Sequence, residues 1–196
     1  MGARQAMGAP VQGGEGFVAQ RLERVFERCF EERWRTRLVG GAVEPLYQPA
    51  ATGEDYNLLH YRSDYFASAL HEVAHWCIAG AQRRRQIDYG YWYAADGRSP
   101  EQQQAFEAVE YQPQALEWWF SRACGYRFQV SVDNLDAAGG GRPDTGPFER
   151  RVLEQVLSWQ RAGLPDRAAV FFTALRREFA MDSKSELLQF SLAELA

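Results

Sequence analysis

The stretch "SALHEVAHWCIAG", residues 68–80, sets His71 and His75 four positions apart, with Glu72 beside the first. Residues four apart on an α-helix share a face, so the pair can offer two imidazoles to one cation. The rest of the stretch is almost wholly Ala, Leu, Val, Trp, Cys and Ile, the composition of a buried helix. Polar rings on such a helix cost free energy unless something partners them. These are two of only three histidines in the chain. The pattern predicts a metal-binding helix over 64–82. Ser63 or Asp64 would cap its start, and Gly80 with Arg83–Arg85 suits its end.

Helical spacing recurs on both sides of this segment. Phe17, Val18, Leu22, Val25, Phe26, Cys29 and Phe30 predict a helix over 17–35 with a charged outer face. "RSPEQQQAFEAVE" opens with Ser99 as N-cap, Pro100 as first helical residue and Gln102 as reciprocal capping partner. Pro113 is predicted to kink or restart that helix, which stops at Gly125. Two more helices are predicted near 147–162 and 166–181, separated by "GLP". "VEPLYQPA" and "YNLLHYR" read as extended. "IDYGYWY" (87–93) and "YRFQVSV" (126–132) alternate like strands, and "DAAGGGRPDTGP" reads as a loop. The fold class is α+β: about five helices packed around a small sheet, carrying the HExxH helix. Residues 1–16 read as a flexible Gly/Ala-rich tail and 17–196 as one domain.

Composition narrows the functional classes. With 46% hydrophobic and 24% charged residues, a chain of 196 residues can bury a sizeable core. A formal net charge of −4 argues against general nucleic-acid binding through phosphate neutralisation. No run of 18 apolar residues exists to span a membrane. The N-terminal stretch lacks the apolar centre of a secretory signal. Cys29, Cys77 and Cys124 are odd in number and have no CxxC spacing, which fits reduced, mostly buried thiols in the cytoplasm.

Two imidazoles need a third ligand. A metzincin would carry Gly and then His beyond the second histidine, where this chain has Ile78 and Ala81, so that class is excluded. His60, on an extended segment, stays open. "AFEAVEYQPQALEWW" offers Glu107, Glu110 and Glu117. Glu110 is favoured, in the turn disturbed by Pro113, with Glu107 second. Two imidazoles and one carboxylate fit two chemistries. With zinc, Glu72 acts as general base on a bound water and the chain is a metallopeptidase. With Fe(II), open positions remain for dioxygen and substrate. Spacing alone does not choose between them.

Four blocks resemble the bacterial elongation factor P hydroxylases: "YFASALHEVAHWCIAGAQRR" (65–84), "DYGYWYAADGR" (88–98), "FEAVEYQPQALEWWF" (106–120) and "VSVDNL" (130–135). The match is ordered and covers most of residues 20–180. The resemblance implies a metal-dependent hydroxylase; because oxygen insertion into an unactivated C–H bond needs a redox-capable metal, Fe(II) with dioxygen as cosubstrate is expected. Its protein substrate would be elongation factor P, at the lysine that already carries a β-lysyl group. It implies a ligand set of His71, His75 and Glu110; Glu72, beside the first histidine, is expected to orient a ligand histidine or bound water, or to shuttle a proton. The Gly-rich tail and "DAAGGGRPDTG" lie outside the family pattern. Oxoglutarate oxygenases usually carry HxD or HxE, and no histidine here has an acid two residues later.

A pocket for a long cationic side chain needs carboxylates or aromatic faces. Asp88, Tyr89, Tyr91, Trp92, Tyr93 and Asp133 are candidates, while Arg98 and Asn134 lie in matching blocks with open roles. Arg83–Arg85 either docks an acidic partner surface or closes the helix before it. The expected order of functions is hydroxylase, then zinc metallopeptidase, then a non-enzymatic binder of a translation factor.

Overall fold

The computed structural model describes residues 16–52, 55–90, 98–132, 144–181 and 188–195. Five α-helices and one three-stranded sheet make up its regular structure, the α+β class that the sequence predicts. Helix α1 (Ala19–Trp34) turns Ala19, Leu22, Val25, Phe26 and Phe30 inward and ends at Arg35 in the left-handed region. Strand β1 (Thr36–Ala42) follows at once, then β2 (Leu46–Gln48) and β3 (Asn57–Arg62). β3 is central, parallel to β1 and antiparallel to β2. The two extended segments predicted from sequence are β2 and β3. β1 had no such signal, because its glycine pair reads as a break. Gly40 is there for space: a Cβ would lie 2.6 Å from the Tyr61 hydroxyl.

β3 feeds directly into α2 (Phe66–Ile78), the helix of the two histidines. Its residues Phe66, Ala69, Leu70, Val73, Ala74, Trp76 and Cys77 are buried, so it packs on most sides. Neither Ser63 nor Asp64 caps it. Tyr65 occupies the N-cap with no side-chain bond, and Ser63 sits at φ 50° in the preceding turn. The helix also stops short of residue 82, because other groups take its last carbonyls. The guanidinium of Arg167 donates through Nη2 to the carbonyls of Trp76 (3.0 Å), Cys77 (2.9 Å) and Ala79 (2.7 Å). It lies over the rings of Trp34 and Trp76. Arg84 Nη1 reaches the Ala79 carbonyl as well.

Of the arginine run, Arg84 thus helps to close the helix end. Arg84 lies over Trp34, and Arg83 Nη1 donates to the Tyr89 carbonyl at 3.0 Å. No strand forms over the described part of 87–93. Residues Ile87–Gly90 make a tight turn, with Asp88 and Tyr89 both in the left-handed region (φ 47° and 58°) and Gly90 at φ 71°. Asp88 Oδ1 accepts the Tyr47 backbone N–H at 2.8 Å, tying the turn to β2.

Helix α3 (Pro100–Cys124) opens with the predicted capping box: the Ser99 hydroxyl accepts from Gln102 N–H, and the Gln102 side chain accepts from Ser99 N–H. It runs through Pro113 as one element, against the expected restart. Residues 113–121 are all buried there, and packing on every side offsets the lost backbone bond. Gly125, at φ 70°, ends it as predicted. Residues 126–132 do not join the sheet. Gln114 takes the place of a neighbouring strand, donating to the Ser131 carbonyl (2.7 Å) and accepting its N–H (3.1 Å). The alternation was a true burial signal: Phe128 is buried against Trp118.

Helices α4 (Gly146–Ala162) and α5 (Asp166–Glu178) pack against α3 through Phe148, Val152, Val156 and through Ala168, Phe171, Leu175. The three cysteines are free; Cys77 and Cys124 are buried, and burial pushes both thiols up. Among the described residues no helix is long and apolar enough to cross a membrane.

Two substitutions test this account of the helix ends. Ser99→Ala removes the capping box and is expected to lower stability by about 1 kcal/mol. Arg167→Met keeps a stem over the tryptophans but takes the side-chain donor from the Trp76 and Cys77 carbonyls and leaves Ala79 with Arg84 alone, and is expected to cost about 2 kcal/mol. Urea unfolding of the two variants beside the wild type measures both.

Candidate metal centre

Helices α2 and α3 lie side by side, and their facing surfaces bring three donors together. His71 Nε2 and His75 Nε2 are 3.1 Å apart. From α3, Glu110 reaches both, with Oε2 3.4 Å from His71 Nε2 and Oε1 3.2 Å from His75 Nε2. One ligand atom from each residue lies within 4.8 Å of the others. Glu110 is 1% exposed, so its charge is held in the protein interior.

Behind this trio stands Glu117, seven residues along α3 and therefore on nearly the same face. Its Oε2 accepts from His71 Nδ1 at 2.8 Å. That bond leaves the His71 Nε2 lone pair turned toward His75 and Glu110. The sequence offers Glu117 as a third-ligand candidate, and the structure places it behind His71, outside the three-donor group. The seven-residue spacing from Glu110 was the available signal. Glu107 faces elsewhere, accepting from Gln103 Nε2 at 3.0 Å. His60 sits mid-sheet on β3 and lies outside the donor cluster among the described residues. Glu72 is half-buried beside the trio and is not one of its three donors.

The electrostatics of the cluster follow from its charge count. Three carboxylates, Glu72, Glu110 and Glu117, surround two imidazoles. Burial raises Glu72 and Glu117 above the usual carboxylate range. Burial works the same way on Glu110, but His75 and His71 overcome it and hold that carboxyl well below the range. Burial pulls the His71 imidazole down, and Glu110 and Glu117 together hold it well above its ordinary value. Glu110 Oε1 is buried and makes no hydrogen bond of acceptable geometry among the described residues. An orphaned carboxylate oxygen beside two imidazole nitrogens is a donor set that fits a divalent cation.

The candidates for a cationic pocket divide. Tyr89 is buried, stacked on Tyr47 at 4.5 Å between centroids and nearly parallel to His75 at 6.2 Å. Asp88 is committed to the Tyr47 amide. Tyr91, Trp92, Tyr93, Asp133 and Asn134 lie outside the described residues. Arg98 is buried over the Phe106 ring and bonds to Gln103 Oε1 and the Val132 carbonyl, which ties α3 to the segment after it.

Comparison with known proteins follows the same lines. The family model described as elongation factor P hydroxylase matches residues 25–190. The chain is 45% identical over 168 residues to a protein of Haemophilus influenzae named elongation factor P lysine hydroxylase. That alignment covers 86% of this chain and 93% of the relative. With its HExxH helix, its converging glutamate and a match along most of its length, the chain belongs to the elongation factor P hydroxylase family.

Proposed function

We propose that this protein hydroxylates the β-lysylated lysine of elongation factor P, with ferrous iron held by His71, His75 and Glu110 and dioxygen as cosubstrate. The relative's name supplies the substrate and the reaction. The observation that carries the assignment to these residues is the convergence of three donor atoms around the buried, orphaned Glu110 oxygen. Bound there, iron supplies the redox chemistry that insertion of oxygen into an unactivated C–H bond requires and that zinc lacks. A modifier of a translation factor works in the cytoplasm, and the net charge of −4 sets it apart from general nucleic-acid binders.

The protein's own groups do the rest. Glu117 holds His71 in one tautomer and one orientation. Glu110 is buried, so its charge interactions with the two imidazoles are stronger than in water. Glu72, half-buried with its carboxyl raised, exchanges a proton with the substrate side or orients what binds beside the histidines. A substrate with two amines brings positive charge to a cluster with surplus carboxylate, so attraction favours its approach.

His71→Ala or His75→Ala is expected to abolish metal retention and the gain of one oxygen atom in elongation factor P co-expressed with the lysylation machinery. Elemental analysis and intact-mass spectrometry read the two outcomes. Stoichiometric zinc in the purified protein, with peptide cleavage as the only turnover, would instead establish the metallopeptidase.

Glu117→Gln conserves shape but weakens the hold on His71. Metal affinity should fall roughly 10–100-fold, as for other removals of a carboxylate behind a ligand histidine. Competition titration against a chelator measures it. An unchanged affinity would reduce Glu117 to packing.

A further inference from the structure

Helix α2 is covered on every side but one. Its half-open residues are Ala67, Ser68, His71, Glu72, His75 and Ile78, and every other residue of the helix is buried. At about 100° per residue these six fall within an arc of about 140°. Both histidines lie in that arc, so it is the side from which the donor group can be reached. Access along it is graded. The side chain of His71 is 25% exposed, that of His75 11% and that of Glu110 2%. Beside His75 the buried Tyr89 ring lies parallel to the imidazole, with centroids 6.2 Å apart. The group is thus closed toward Tyr89 and open toward the N-terminal end of the helix.

That end carries Tyr65, the N-cap residue, which is 41% exposed. It precedes Glu72 by seven residues. It therefore lies two turns away, about 10 Å along the axis and within about 20° of the same line. Side chains lean toward the N-terminus of their helix, so those of His71 and Glu72 lean toward Tyr65. Among the described residues neither a ring nor a guanidinium packs on the Tyr65 ring. Its chain neighbours Arg62 and Asp64, both exposed, offset one another in charge. An aromatic face, rather than a net charge, is what this end of the stripe offers a cation.

We propose that the open stripe of α2 is the entrance for the substrate side chain, and that the Tyr65 ring binds an ammonium group of its lysyl extension. Tyr65 thereby selects the lysylated factor over the unmodified one. The inference rests on the proposed function and makes Tyr65 a binding residue with no part in the chemistry. The attraction is that of a cation to the negative face of an aromatic ring, so it needs the ring and not the hydroxyl.

The test compares Tyr65→Leu and Tyr65→Phe with the wild type. Calorimetric titration of the iron-loaded proteins under nitrogen, where no turnover occurs, gives the affinity for lysylated and for unmodified elongation factor P. The wild type is expected to prefer the lysylated form. Tyr65→Leu should weaken binding of that form about threefold to tenfold and leave binding of the unmodified form as it was. In air its KM should rise by more than its kcat falls. Tyr65→Phe should keep the wild-type preference. Tyr65→Leu with an unchanged preference overturns the proposal. So do equal losses for the two forms, which would set Tyr65 against the body of the factor, and so does a Tyr65→Phe protein that behaves like Tyr65→Leu. A wild type without any preference removes the substrate reading and this proposal together, whereas a preference that survives in Tyr65→Leu removes this proposal alone.

Discussion

A carboxylate buried in a helical core has to be neutralised, and Glu110 is the group around which this structure is arranged. Moving an isolated carboxylate out of water costs many kcal/mol, so it survives ionised only with positive or donor groups aimed at it. His71 and His75 supply them from the neighbouring helix. The pairing requires α2 and α3 to face each other at fixed register. That register puts α2 where β3 can lead into it and where α5 can close its end. A slip of one residue along either helix would rotate a charged group into hydrocarbon.

Local geometry was legible in the sequence; pairing across space was not. The four-residue spacing of His71 and His75 lies within one turn and a little more, so their shared face follows from helix geometry alone. The same holds for the capping box at Ser99–Gln102 and for the stop at Gly125. The choice among Glu107, Glu110 and Glu117 depends on which face of α3 meets α2, a question of packing. Glu110 and Glu117, seven apart, share that face, whereas Glu107 is rotated away from it. Reading the three acids by helical angle would have set Glu107 apart from the two that face α2. The burial of Ala115, Leu116, Trp118 and Phe120 around them shows why the helix survives Pro113.

The two predicted strands that did not form share a cause. Alternation reports which side chains are buried, not what the backbone bonds to. At 126–132 the inward residues do pack, yet the Ser131 amide and carbonyl are met by one glutamine side chain. At 87–90 the tyrosines suggest a strand, but Arg83 and Asp88 pin the chain into a turn through bonds that no pattern encodes. β1 is the converse case. Its glycine pair hides a strand, because the space beside Gly40 is filled by Tyr61 from the adjacent strand β3.

His75 stands at the meeting of two opposite uses of stability. Its chain neighbour Trp76 is locked among Phe26, Phe30 and Trp34 under the Arg167 guanidinium, which also holds the last carbonyls of α2. The carbonyls that Arg167 reaches there are satisfied, which holds the helix end, although Arg167 Nε and Trp76 Nε1 are buried without a partner among the described residues. On the other flank, Tyr89 reaches His75 from a strained turn with its hydroxyl unmet. The held flank fixes where the imidazole nitrogen points. Unmet hydrogen-bonding capacity beside a charged cluster destabilises the resting fold, and the packing around Trp76 is what lets the fold tolerate it.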